Sequence, residues 1–166
     1  PTENKRLPDT EAPLVEYEIR TGDVLMSRAN TTELLGSAAL VSNVRPRLLL
    51  CDKLYRLNVK DSSLRKDFLV TFLRSRPGRY AFEREATGAS SSMQNIGQDT
   101  VRNLWIPIPP LDEQGSIIQR IQHEIQRHDS LSDATNRTIA LLKERRAALI
   151  AAAVTGQIPI PPEPVP

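Results

Sequence analysis

Three groups of polar side chains in this sequence have the chemistry needed to contact a nucleic acid. They follow an apolar run that ends at Met26, flank Pro46, and occupy a small-residue segment between Gly88 and Gly97. Arginine can bind guanine or phosphate through two hydrogen bonds, asparagine and glutamine can pair with adenine in the same way, and hydroxyl groups bind phosphate. The candidates are Arg28, Asn30, Thr31, Arg45, Arg47, Ser91, Ser92, Gln94 and Asn95.

Each group also has a purely structural interpretation. The arginines can be solvated surface residues, the glycine- and serine-rich segment can be a simple connection, and Asn95 can hold a turn through its own backbone. The distribution of charge along the chain favours nucleic-acid binding but does not by itself establish it. Residues 28–102 contain thirteen basic and seven acidic residues, whereas residues 1–27 contain three basic and six acidic ones. A polyanion is therefore a candidate partner for the middle of the chain.

No set of residues predicts catalysis, a resident metal or a bound cofactor. The sequence has neither a GxGxxG nor a GxxxxGK phosphate loop, and it lacks the proline-proline-aromatic motif by which adenine methyltransferases hold a flipped base. His123 and His128 are five positions apart and so miss the i, i+4 spacing of helical zinc ligands. The prediction is no catalytic and no metal-binding residue in this chain.

The cysteine count and the lack of long apolar runs indicate the environment. Cys51 is the one cysteine, so no disulfide can form within the chain, and a single cysteine is most often a small buried apolar residue. No run of about 18 apolar residues predicts a membrane span, and no signal-peptide pattern is present. We expect a cytoplasmic protein without membrane contact.

Apolar periodicity predicts a mixture of strands and helices in residues 21–111, which is an α+β fold class. A helix should start at Ser62 or Ser63, run through Leu73 with one apolar face, and end at Pro77-Gly78. The small-residue segment between the two glycines should be a loop. The expected strands are residues 24–26, 37–44, 54–59 and 104–106.

A much longer helix is expected from Asp112 to Thr155. Asp112 is a suitable N-cap, and Gly156 suits the left-handed position just past the end. At about 1.5 Å per residue, such a helix would extend on the order of 65 Å. A stripe with 3-4 spacing runs along it, apolar at both ends, and its predicted helix-pairing residues are Ile118, Ile121, Ile125, Ile139, Leu142 and Leu149.

Two arrangements would cover this stripe. The helix can fold back on its own domain, or it can pair with a helix from another chain or from a missing part of this one. Its length favours the second, and we expect an antiparallel two-fold dimer through residues 112–155. The predicted organisation is a flexible or truncated segment (1–20), an incomplete mixed domain (21–111), the pairing helix (112–156) and a proline-rich tail (157–166).

The junction between the mixed domain and the helix carries a family resemblance. The stretch LWIPIPPLDEQ (104–114), followed at helical distance by LKERR (142–146) and AVTGQI (153–158), resembles the conserved segment of the DNA-specificity (S) subunit of type I restriction-modification systems. Residues 22–28 and the segment between Gly88 and Gly97 are similar to elements of that family's target-recognition domain.

The resemblance implies a non-catalytic subunit that recognises double-stranded DNA and directs methylation and cleavage by partner subunits. The modification (methyltransferase) subunits would bring S-adenosylmethionine, and the restriction subunit would bring ATP and Mg. A complete subunit of the family has two domain-plus-helix units and more strands before the element at Gly22, so this chain is expected to be a fragment or part of a split subunit. The alternative is a helical protein-interaction (adaptor) module that does not bind DNA.

Overall fold

The computed structural model describes residues 6–60, 62–90 and 93–159. The chain divides into two compact units after Ile118. A short 3-10 helix at Val15–Tyr17 precedes the strands, which are β1 (Val24–Ser27), β2 (Ala29–Asn30), β3 (Ala38–Leu40), β4 (Leu54–Leu57), β5 (Thr87–Ser90) and β6 (Met93–Asn95). The α-helices are α1 (Lys66–Arg74), α2 (Arg76–Glu85), α3 (Gln98–Arg102) and α4 (Leu111–Val154). This content confirms the predicted α+β class.

The described residues form two small antiparallel sheets, and β1 is the central strand of one of them. Its neighbours are β3 and β4, while β6 lies between β2 and β5 in the other sheet. Val24 pairs with Leu57, and Met26 pairs with Tyr55. Val24 and Met26 are buried whereas Leu25 is only partly buried, as expected for a strand with one face on a core.

Strand predictions that relied on local pattern were correct in part. β3 and β4 lie within the predicted strands at 37–44 and 54–59 but are shorter, with three residues of β3 and four residues of β4 paired to β1. The predicted strand at 104–106 is wrong: these residues follow α3 without entering a sheet. The predicted loop between Gly88 and Gly97 is also wrong, since it contains most of the antiparallel pair β5 and β6.

Helix α1 packs its apolar face into the core, as predicted. Its buried residues are Phe68, Leu69, Val70 and Leu73. The helix begins at Lys66 rather than at Ser62 or Ser63, after an extended residue, Arg65.

The end of α1 differs from the prediction. Ser75 ends the helix, and its Oγ accepts a hydrogen bond from the Gly78 amide (3.4 Å) as the N-cap of α2. Pro77 and Gly78 therefore belong to the first turn of a second helix, which the sequence pattern did not reveal. Proline fits this position because the first turn has no intrahelical use for its missing amide hydrogen. Gly78 fits because a Cβ would collide with the Phe72 carbonyl.

The long helix is confirmed, with small differences at its start. α4 begins at Leu111, so Asp112 lies in the first turn and is not the N-cap. Its end is as predicted: Gly156 has φ 73°, its amide donates to the Ala153 carbonyl (3.2 Å), and the next amide donates to the Ala152 carbonyl (2.8 Å). These two bonds form a Schellman motif.

The predicted helix-pairing residues have unequal exposure. Ile118 is buried within the first unit. The residues beyond it present apolar side chains on the surface of α4, and the exposed ones are Ile121, Ile125, Ile139, Leu142 and Leu149.

Two further observations concern the environment. Cys51 is exposed, so the prediction that it is a buried apolar residue is wrong; it lies in the connection between β3 and β4. Within the described ranges, every helix is too short or too polar to cross a membrane.

The start of α1 gives a pH-dependent contribution to stability. Asp67 accepts two hydrogen bonds from the Arg65 guanidinium (3.1 and 2.7 Å) and one from the Phe68 amide (2.9 Å). The side-chain hydrogen bonds from Arg65 are the main reason that the pKa of the Asp67 carboxyl lies below its ordinary value, and burial opposes them only in part. The ionised carboxylate is therefore the form that stabilises the folded state.

We expect Asp67→Asn to lower the free energy of unfolding at neutral pH by up to about 1 kcal/mol, since the pair is partly solvated. Because the folded-state pKa is lowered, this stabilisation is present above the unfolded pKa of about 3.9 and is lost as the pH falls through the folded-state value. Urea unfolding from pH 7 to pH 2.5 measures the difference, with exposed Asp52→Asn as control. A difference between Asp67→Asn and wild type that stays constant across this range would contradict the prediction.

Candidate nucleic-acid interface

Arg28 lies at the junction of the two sheets. Its amide donates to the Lys53 carbonyl (2.9 Å), next to β4, and its carbonyl accepts from the Ile96 amide (2.9 Å), next to β6. The N–H group of Arg28 therefore bonds to the sheet that contains β4, and its C=O group bonds to the sheet that contains β6. Both backbone bonds fix the position from which the side chain emerges.

The Arg28 guanidinium lies over an aromatic ring, and one of its nitrogens is buried without a hydrogen-bond partner in the described residues. Its Cζ lies 5.3 Å from the centroid of the Tyr55 ring, and the Tyr55 hydroxyl donates to the Ile96 carbonyl (3.0 Å), which fixes the ring. Nε is buried and has no hydrogen-bond partner in the described part of the chain. Because Nε is buried, contact with a phosphate or a guanine edge would use the two terminal nitrogens of the guanidinium, which can bind such acceptors through two hydrogen bonds.

The pairing of β2 with β6 joins two of the predicted groups. Asn30 lies opposite Gln94, and Ala29 lies opposite Asn95. Directly opposed residues in an antiparallel pair have side chains on the same face. The structure thus brings Asn30 and Gln94 together, although more than sixty positions separate them in sequence.

Asn30 also has a structural role. Its Oδ1 accepts from the Thr31 amide (2.8 Å), and its Nδ2 donates to Ser27 Oγ (3.3 Å). Thr31 begins the turn that follows β2, and its carbonyl accepts from the amides of Leu34 and Leu35. The Asn30 side chain is therefore hydrogen-bonded within the protein, where it stabilises the start of this turn.

Arg79 fixes the same turn from helix α2, and sequence reasoning did not identify it. Its guanidinium donates to the carbonyls of Glu33 (2.5 Å), Thr32 (3.1 Å) and Leu35 (3.4 Å). Nothing in the local sequence separates this arginine from its neighbours, because its acceptors are more than forty positions away. Its donors are used within the protein, in contrast to the buried Nε of Arg28.

The second predicted group has different neighbours. Arg45 and Arg47 lie in the connection between β3 and β4 and line a cavity with residues 6–9 and Glu18. Arg47 has φ 63°, and its amide donates to Glu18 Oε1 (2.7 Å). The structure therefore does not place these arginines among the contacts of Arg28, Asn30 or Gln94. Ser91 and Ser92 lie outside the described residues.

Gln114, the last residue of the stretch LWIPIPPLDEQ, has a structural role. The residue is fully buried. Its Nε2 donates to the carbonyls of Ser63 (2.6 Å) and Pro109 (2.7 Å), and its Oε1 accepts from the Arg65 amide (2.9 Å). One side chain thus satisfies three backbone groups and ties the first turn of α4 to the segment before α1.

Known relatives match most of this chain. Residues 13–149 match the family model described as the type I restriction modification DNA specificity domain. The chain is 29% identical over 120 residues to the type I restriction enzyme EcoEI specificity subunit of Escherichia coli, which covers 72% of this chain and 20% of that protein. It is 22% identical over 144 residues to the StySPI specificity subunit of Salmonella potsdam (86% and 31%) and 23% identical over 151 residues to the EcoKI specificity subunit of Escherichia coli strain K12 (90% and 32%).

The matched region makes up most of this chain but only a small part of each relative. The chain spans about a fifth to a third of the length of these specificity subunits. The family model covers both candidate groups that meet at β2 and β6, the buried Gln114 and most of α4. The chain belongs to the type I restriction modification DNA specificity domain family.

Proposed function

We propose that this chain recognises double-stranded DNA as part of a specificity subunit of a type I restriction-modification complex. The observation that carries the proposal is the Arg28 guanidinium, which is stacked on Tyr55 beside the β2–β6 pair, within the stretch that matches a DNA specificity domain. The basic excess of residues 28–102 supports it, since attraction to phosphates supplies much of the affinity for DNA.

In this proposal the chain selects the site, and partner subunits perform the chemistry. Modification subunits bind S-adenosylmethionine and methylate the DNA, while the restriction subunit uses ATP and Mg for cleavage. The chain itself contributes no catalytic residue. The exposed apolar residues of α4, such as Ile125 and Leu142, pair with a second copy or a second half of the subunit.

Co-expression tests the proposal directly. The natural protein that contains residues 1–166 is co-expressed with the modification subunit from the same source, purified through one tag, and methylated adenines are mapped on host DNA. We expect co-purification and a recurrent two-part methylated motif. Exchange of residues 20–103 for those of a relative should change one half of that motif and leave the other half unchanged.

Helix pairing is tested on the chain alone, without the modification subunit. Sedimentation of the chain at tens of micromolar should give the mass of a dimer, and a monomeric mass would contradict pairing through α4. If neither co-purification nor methylation is found, the DNA-recognition proposal fails. The exposed apolar side of α4 would then favour the adaptor function, which predicts protein partners and no dependence on DNA.

A further inference from the structure

A cavity of about 700 Å³ follows the outer edge of β4 in the first unit. Its wall includes six consecutive residues, 55–60, and it is completed by residues of α1, by α3 and by Leu104 and Ile106. These elements all belong to one compact unit, so the cavity is a feature of the mixed domain. It meets the Arg28 junction at Tyr55, the ring on which Arg28 stacks, and shares no lining residue with the cavity at Arg45 and Arg47.

The backbone of β4 is paired on one side. The bond from the Arg28 amide to the Lys53 carbonyl fixes which residues of this strand face β1. Because antiparallel bonding alternates, Tyr55 and Leu57 direct their N–H and C=O groups toward β1, and Arg56 and Asn58 direct theirs away from it. In the described ranges, β4 has no sheet neighbour on that outer side. An edge of this kind is a template for a further strand.

The cavity has the apolar lining that such a strand would need. Leu57, Val59, Leu64, Val101, Leu104 and Ile106 pack against the core and remain partly exposed where they line the cavity. A strand placed beside β4 would direct alternate side chains to the same face as Leu57 and Val59, and therefore into this space. The core of the unit is thus open at one sheet edge.

Positive charge lies at the rim of the same cavity. Lys60 and Arg102 both line it and are exposed. Arg102 contacts Asp99 (3.4 Å) and Gln98 (3.0 Å) on its own helix, and these exposed contacts leave part of its charge uncompensated at the opening. An occupant with carboxylates beside its apolar positions complements this rim.

We infer that the outer edge of β4 binds one extended segment of a separate polypeptide by strand addition, with apolar side chains at alternate positions and carboxylates between them. Backbone hydrogen bonds to Arg56 and Asn58 supply the attachment, and the cavity beneath Leu57 and Val59 selects the apolar positions. This is a protein-binding edge in addition to the DNA-facing surface, and it does not depend on DNA recognition.

The test uses the whole chain and a synthetic probe. A capped decapeptide of alternating valine and glutamate is titrated into the isotope-labelled protein, and amide and methyl shifts are followed by NMR. We expect saturable shifts at the amides of Arg56 and Asn58 and at the methyl groups of Leu57, Val59 and Leu104. A decapeptide of alternating valine and lysine should bind at least about tenfold more weakly, because it opposes the basic rim.

A matched pair of variants tests the backbone mechanism. Asn58→Pro removes an outward amide hydrogen without removing a bond to β1 and should weaken binding at least about tenfold, whereas Asn58→Ala keeps that hydrogen and should bind as wild type does. Absence of shifts at about 1 mM peptide, equal binding of both peptides, or shifts confined to β3 or α4 would overturn the inference. The inference would also be overturned if the protein self-associates through this edge and neither peptide changes its spectrum. If Asn58→Pro fails to fold, the comparison of the two peptides on the wild-type chain still tests the inference.

Discussion

Replacement of Gln114 by leucine is expected to lower the free energy of unfolding of the first unit by about 3 kcal/mol. The substitution keeps the volume of the side chain and removes all three of its hydrogen bonds. An unsatisfied buried polar group costs about 1–3 kcal/mol, and the value expected here is at the lower end for each group because Ser63 and Arg65 lie near solvent. Urea unfolding followed by far-UV circular dichroism measures the change.

Two further variants separate this mechanism from a general effect on the helix. Gln119→Leu makes the same substitution at an exposed position of α4 and should change the free energy by no more than about 0.5 kcal/mol. Gln114→Glu keeps the shape and one acceptor but places carboxylate oxygens against the carbonyls of Ser63 and Pro109, so it should destabilise at least as much as leucine at neutral pH. Equal stability of Gln114→Leu and Gln119→Leu would show that the three bonds contribute nothing.

The fold could be predicted from sequence wherever a local pattern and the tertiary structure agreed. β1 and α1 have the expected apolar spacing, and α4 ends at the expected glycine. Pro77-Gly78 was wrongly interpreted as the end of α1, because proline is compatible both with the end of a helix and with the first turn of the next one. Close packing of Gly78 on Phe72 decides between them, and that contact becomes visible only in three dimensions.

The prediction of a strand at 104–106 was wrong for a related reason. A strand needs a partner, and these residues instead pack Leu104 and Ile106 against the core from an extended segment after α3. Trp105 points outward and is 94% exposed. An apolar run therefore predicted an extended backbone but could not show whether a neighbouring strand exists.

Residue types identified the candidate interface, but its assembly depends on distant contacts. Arginine, asparagine and glutamine were singled out by their hydrogen-bonding groups, yet only the β2–β6 register shows that Asn30 meets Gln94. The sequence did not single out Tyr55, since its role depends on the guanidinium of Arg28, which lies between β1 and β2. Arg45 and Arg28 are equivalent as sequence features, and their different neighbours separate them.

Removal of the Arg28 side chain is expected to weaken DNA binding by about tenfold to a hundredfold. Hydrogen bonds to a charged group contribute about 1.5–3 kcal/mol, and about 1.4 kcal/mol corresponds to a factor of ten in affinity. Arg28→Ala is compared with wild type by fluorescence anisotropy, with a duplex that contains the methylated motif and with mixed-sequence duplex. Arg84→Ala is the control, because Arg84 is an exposed arginine on α2 that pairs with Glu85.

Salt dependence then identifies the acceptor. If Arg28 binds a phosphate, Arg28→Ala should reduce the slope of log affinity against log salt by about 0.9 and weaken both duplexes alike. If it binds a base edge, the slope should stay unchanged while the preference for the motif falls. Arg28→Lys keeps the charge without the planar fork and should recover most of the phosphate contact but little of the base contact. Since Arg28 also stacks on Tyr55, each variant is first checked for wild-type stability, and unchanged affinity in a stable Arg28→Ala variant would exclude this arginine from the interface.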